Sequence, residues 1–250
     1  MTQELQNLDE QINPQKENKN WFSALTNNWF LSTKSKVILP GKDSWFVDPL
    51  NAAKIIHKAR KRKKVDIKDI TIQLTKDPEL LQQYYDLREK LYREDSGYKS
   101  YSGAENYYDK NGRIFLAIYN KSVVAGARLV VSSDVDCLPH ENLEENFTYK
   151  EISHNLNVNI DGVLYSEISA LAIDRDFRGN LIDGLFATVV EHCRSNNIKY
   201  IFGISNMKCN RDYKIAFLKI GIECVIADKI VAPRKSEFNN IDSYPIVAKI

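Results

Sequence analysis

Residues 163–173 read Val-Leu-Tyr-Ser-Glu-Ile-Ser-Ala-Leu-Ala-Ile, and they run into a turn at 174–180 (Asp-Arg-Asp-Phe-Arg-Gly-Asn). Beyond the turn an apolar stripe of Leu181, Ile182, Leu185, Phe186, Val189, Val190 and Cys193 follows helical spacing. A buried central strand, a tight turn and an amphipathic helix are therefore expected in that order. Downstream, Tyr200–Ile204 reads as a short buried strand, Asn210–Ile220 as another helix, and 222–231 and 244–249 as strand-like runs. Upstream, 67–74 (IKDITIQL) alternates enough for a first strand. Asp77-Pro78 then supplies a helix cap and a first-turn proline, ahead of a stripe of Leu80, Tyr84, Leu87 and Leu91 flanked by Arg88 and Tyr92. Ile114–Tyr119 and Val123–Val131 form a hairpin about Asn120-Lys121, with Gly126 marking a bulge or a close approach of backbone. The segments 94–112 and 132–161 read as polar connections. The expected fold class is α/β (α+β), an α/β layer fold around one mixed, mostly antiparallel sheet flanked by helices.

The rest of the 250 residues bound the answer. The chain is 43% hydrophobic and 27% charged, ordinary globular composition, and 35 Lys plus Arg against 33 Asp plus Glu give a net charge of only +2. Such a balance does not favour a nucleic-acid partner. The four cysteines, at 137, 193, 209 and 224, form no C-x-x-C pair and no zinc-ligand spacing, so no metal is expected and a reduced, cytoplasmic setting fits. No run of about 18 apolar residues exists, so no transmembrane segment is expected, and the polar first twenty residues do not read as a signal peptide. Two domains are expected: an N-terminal extension over 1–65 and a packed domain over 66–250. The extension holds a polar start, an amphipathic Trp-rich stretch around Trp21, Trp29 and Trp45, and a basic run at 57–64 (HKARKRKK). Packing on the domain is the ordinary reading of the Trp-rich stretch; peripheral contact with a membrane or with an acyl chain is the other.

Several motifs resemble one superfamily in one order. The stretch 172–179 (AIDRDFRG) before a helix resembles the acyl-donor loop of the GNAT acyltransferases, where a strand end meets the pantetheine arm and the turn's N–H groups meet the pyrophosphate. That resemblance implies donor-binding roles for Leu171, Ile173, Arg178, Gly179 and Asn180. Leu181 and Asp183 stand at the family's two downstream glycine or alanine positions. The segment from Asn210 to Ile222 is similar to the superfamily's N-x-x-A-x-x-L-Y-x-x-x-G-F run, which implies a donor contact at Asn210. Phe217 occupies the place of the Tyr that protonates the leaving thiolate, so either Tyr213, one turn earlier, substitutes or the leaving thiol takes a proton from water.

The subgroup that this chain resembles is the acyl-homoserine-lactone synthases and the related N-acyl amino acid synthases of bacteria. Arg88 in LREKLY, Glu105 and Asp109 in AENYYD, Gly126–Leu129 as GARL and Glu167–Ile173 as EISALAI carry it. Ala170 replaces the family's Arg after Ser169, and Asn106 stands where an Asp is usual, so an amine other than that of homoserine lactone is the expected acceptor. The resemblance implies transfer of an acyl group, long-chain in the family's manner, from acyl carrier protein or CoA as co-substrate to a small-molecule amine such as an amino acid. Arg88, Glu105, Asp109 and Arg128 would shape the acceptor pocket. Glu167 is the expected general base, with Ser169 beside it as a small packing residue rather than a nucleophile, and backbone N–H groups near Leu171 would stabilise the oxyanion. The basic run would dock an acidic carrier protein. His140, His154 and His192 are read as surface residues. The alternatives are an acetyl-CoA-dependent N-acetyltransferase and a non-catalytic sensor that binds acyl groups.

Overall fold

The computed structural model describes residues 69–94, 98–141, 147–179, 181–233 and 242–250. The expectations for the N-terminal extension, including the Trp-rich stretch and the basic run, lie outside the described residues. Seven strands form one sheet: β1 (Ile70–Thr75), β2 (Arg113–Tyr119), β3 (Ser122–Val131), β4 (Leu164–Ile173), β5 (Ile198–Ser205), β6 (Glu223–Ile226) and β7 (Tyr244–Lys249). Their order is β1-β2-β3-β4-β5-β7-β6, and every neighbouring pair is antiparallel except β4 with β5. The β2–β3 turn matches its reading: Asn120 and Lys121 both have positive φ, 48° and 65°, as a tight primed turn requires.

Five helices are described: α1 (Pro78–Glu94), α2 (Tyr107–Asn111), α3 (Tyr149–Asn155), α4 (Leu181–Ser195) and α5 (Met207–Lys219). Asp77 caps α1 as expected, its Oδ1 accepting from the N–H groups of Glu79 and Leu80 at 2.8 and 3.2 Å. Arg88 does not flank the buried stripe of α1; it lies within it, fully buried beside Tyr84. The two polar connections each contain a helix. α2 is closed by a reciprocal cap, in which the Asn106 side chain accepts from the Tyr108 and Asp109 N–H groups and the Asp109 carboxylate accepts from the Asn106 N–H. α3 starts at Thr148, whose hydroxyl accepts from the Glu151 N–H, and it buries Tyr149 and Ile152. α5 starts at Met207 rather than at Asn210, because Asn206 caps it through the Cys209 N–H at 3.0 Å.

Alternation along the strands sends side chains to two cores. On one face Phe115, Ala127, Leu129, Ile168 and Ile201 pack under α4 and α5. Their helices are joined by Phe186 and Phe217, with ring centroids 4.7 Å apart. Both rings are fully buried, and such burial is worth roughly 1.5–3 kcal/mol per side chain. On the other face α1 covers Ile114, Leu116 and Ala172, while α3 covers Val130, Phe202 and Val247. No helix among the described residues is long and apolar enough to cross a membrane.

Candidate functional site

The sheet forks at its centre. β4 and β5 pair over Leu164–Glu167, ending at Glu167 opposite Phe202, whereas β4 runs on to Ile173 and β5 to Ser205. Past Glu167 the residues of β4 have no partner on β5. Ser169, Ala170 and Leu171 on one arm and Ile204 and Ser205 on the other are half-buried, so the walls of the fork reach solvent. A bulge coincides with the opening. The β3–β4 register skips from Arg128↔Ser169 to Gly126↔Ala172, passing over Ala170 and Leu171, and Ala170 has φ 53°. Left-handed backbone at an alanine is strained, and the surroundings hold it. The Tyr84 hydroxyl donates to the Ala170 carbonyl at 2.6 Å, and the Tyr92 hydroxyl lies 3.5 Å from that of Leu171. Gly126 makes this close approach feasible, because a Cβ there would meet the Tyr84 ring at 2.6 Å.

Beside the fork, on the α1 face, four of the expected residues form one network. Arg88 donates to both Asp109 oxygens, at 3.0 and 2.9 Å, and to the carbonyls of Gly103 and Ala104. Arg128 donates to Asp109 at 2.9 Å and to Asn106 Oδ1 at 3.1 Å, and its Nε and Nη2 both reach the Ser169 hydroxyl at 3.2 Å. Burial works to raise the Asp109 carboxyl, but the bond from Arg88 and the charges of Arg128 and Arg88 outweigh it and hold the group below its usual value. Ser169 is thereby an acceptor for a guanidinium. Glu105 stays outside the network: it is exposed, with Lys110 Nζ at 3.8 Å. It lines, with Asp109, Leu81, Gly112 and Arg113, an open groove of about 600 Å³ on the β1–β2 side.

Glu167 differs most from its expectation. Its side chain is fully buried, and each oxygen is engaged: His140 Nδ1 lies 2.6 Å from Oε1, and the His140 N–H and the Tyr149 hydroxyl donate to Oε2 at 3.0 and 2.8 Å. Burial pushes the carboxyl up, but the His140 charge and the bonds from His140 and Tyr149 pull it below its ordinary value. A carboxylate so held is a poor direct base and touches no open space. His140, read from sequence as a surface residue, is its partner, and one-fifth of the His140 side chain is exposed. Nothing local to 132–161 signalled this pairing, since the two residues stand 27 positions apart.

On the donor side, Ile173 is half-buried against Leu181, and Leu171 packs on the α4–α5 core. A 3-10 turn over Arg175–Phe177 leads to Arg178, which is exposed, and to Gly179, whose φ of 125° suits only glycine. Asn180 lies outside the described residues. Leu181 is buried and Asp183 pairs with Lys219 at 2.8 Å, so its charge is matched at the surface. Asn210 is fully buried, its amide donating to the Ser205 and Tyr244 carbonyls at 3.0 and 2.7 Å; it fastens α5 to the tips of β5 and β7. Its Oδ1 has no partner among the described residues. Tyr213 is half-buried with its hydroxyl bonded to Ser205, and burial raises the phenol, which keeps it protonated and able to donate. Among the described residues no group of three or more His, Cys, Asp or Glu side chains is placed to hold a metal.

No family model matches the chain, and no curated protein matches its sequence. Solved structures do. It is similar to BjaI, a CoA-dependent acyl-homoserine lactone synthase solved with SAM and isopentyl-CoA, at 20% identity over 69% of this chain and 76% of that one, with a TM-score of 0.50. The acyl-homoserine-lactone synthase LasI matches at 12% identity over 72% and 89%, TM-score 0.49, and FeeM, an N-acyl amino acid synthase from uncultured soil microbes, at 11% over 72% and 90%, TM-score 0.48. The fold is thus the GNAT acyltransferase-like fold of the acyl-homoserine lactone synthases.

Proposed function

We propose that this chain is an N-acyltransferase, moving an acyl group from the thioester of CoA or acyl carrier protein to the amine of an amino acid or a related small molecule. The observation that carries it is the fork between β4 and β5, with its bulge at Ala170, opening beside a buried Arg88–Asp109–Arg128 network. An extended thioester arm fits between strands that have parted, where backbone groups are not used up by a neighbouring strand. Leu171, Ile173 and the turn at Arg178–Gly179 would hold the donor, and Tyr213 would return a proton to the departing thiolate. The network would orient the acceptor, reached from the groove that Asp109 and Glu105 line.

Phe202 and Tyr149 fill the apex of the fork, both fully buried with ring centroids 4.4 Å apart. That filling favours a short acyl group, and an acetyl-CoA-dependent enzyme is the second reading. Acyl-CoA and acyl carrier protein donors of graded chain length, supplied with mixed amino acids and followed by mass spectrometry, decide between them. New amides with medium or long chains support the first reading, and N-acetyl products alone support the second. Bound acyl chains without any amide would sink both and leave a sensor. Reversing four charges between Lys58 and Lys64 is expected to lower turnover on the carrier protein while leaving CoA turnover intact.

A further inference from the structure

Resting on the acyl-transfer reading, we propose that the group taking the amine's proton is His140, through Nε2, and that Glu167 is the positioning residue that holds its ring. The argument is geometric. Glu167 is sealed from solvent and accepts three hydrogen bonds, two of them from His140 itself, through Nδ1 and through the backbone N–H. The two contacts grip one residue at two points, so the ring cannot swing away from the carboxylate. With Nδ1–H committed to Glu167, the neutral ring carries its lone pair on Nε2, the tautomer a base needs. The exposure runs the same way: the Glu167 side chain has none, whereas a fifth of the His140 side chain is open.

The pair also sits in the right neighbourhood. Glu167 and Ser169 are two positions apart on β4 and point to one face, where Ser169 meets Arg128. The Arg128 guanidinium lies 5.5 Å over the Tyr108 ring, and Tyr108 is close enough to Glu167 to feel its charge. Other titratable groups around the pair are Tyr149 on α3, Tyr165 on β4, and Cys137 and Glu141 in the loop that bears His140.

The step balances simply. The neutral amine attacks the thioester carbonyl carbon, forming the C–N bond, and His140 Nε2 takes the proton that the nitrogen loses. The C–S bond breaks, and the thiolate takes a proton from water or from Tyr213, which solvent then reprotonates. His140 returns its own to solvent, and amide and thiol leave. The Glu167 carboxylate stabilises the imidazolium meanwhile and keeps its own charge throughout.

The test uses the full chain with the donor and acceptor that give wild-type product. His140→Gln is expected to lower kcat by about 10²–10⁴ with the acceptor KM little changed and the melting temperature kept. The fall of the wild-type rate toward acid pH is expected to disappear with it. Imidazole added to His140→Ala should restore part of the rate. In Glu167→Gln that acid dependence should persist while kcat falls, because the ring has lost the carboxylate that holds it. His154→Gln, changed on the exposed side of α3, should behave as wild type. Full turnover in His140→Gln, or an acid limb retained there with a dead Glu167→Gln, overturns the assignment and returns the base to Glu167. Failure of the wild type to make any amide overturns the transfer reading itself, and that is read before any variant is made.

Discussion

Asp109 accepts from two guanidinium groups inside the core, so its charge is a structural requirement as well as a candidate acceptor contact. Asp109→Asn would leave Arg88 buried without a counter-charge, and removing one partner of a buried pair typically costs about 3–5 kcal/mol. Urea denaturation checks this. A loss under about 1 kcal/mol would mean that the Gly103 and Ala104 carbonyls satisfy Arg88 alone. The pH dependence has a definite sign. The folded Asp109 value lies below the unfolded one, so its contribution is complete above about pH 4 and is lost as pH falls through the folded value. The wild type should therefore unfold in acid more steeply than Asp109→Asn. At this scale the sequence was informative where motif order singled residues out: Arg88, Asp109, Arg128 and Ser169 meet in space. It placed His140 at the surface, because the contact with Glu167 depends on a partner brought to it only by the folding of a long connection.

Among the elements, the bulge in β4 depends on a chain of contacts that begins at Gly126. A side chain there collides with Tyr84, and Tyr84 holds the Ala170 carbonyl. Gly126→Val is expected to destabilise the fold by about 1–3 kcal/mol, as overpacking does, and to lower turnover further by releasing the bulge. Denaturant midpoints and kcat/KM measured together check it; full activity despite the lost stability would detach the bulge from the chemistry. The long elements were legible because their periodicity is sustained, as in α1 and α4, and because Asn120-Lys121 is sharp turn chemistry. α2 and α3 were not legible as apolar stripes, since five and seven residues are too few to display a period. Their caps were the available signal: Asn106 precedes Asp109, and Thr148 precedes Glu151, by three positions each.

The whole sheet is held together at its middle by a short ladder. β1 to β4 form a continuous antiparallel meander, and β5, β7 and β6 a second antiparallel block with β7 between the other two, each with neighbours paired along most of their length. Among the described residues, only the Leu164–Glu167 ladder pairs a strand of one block with a strand of the other. A donor lying in the fork would bridge both halves, so a tight non-reactive CoA thioester analogue is expected to slow amide exchange at Ile168–Ile173 and Gly203–Ser205 while leaving β1 and β2 unchanged. Uniform protection, or none, would place the donor elsewhere. The same seam has a mechanical consequence. Pulled across the sheet, the molecule should part first along this line, and a backbone cut in the turn at 174–179 should yield two fragments that recognise each other and reassemble, since nearly every strand keeps its hydrogen-bonded neighbours within its own piece.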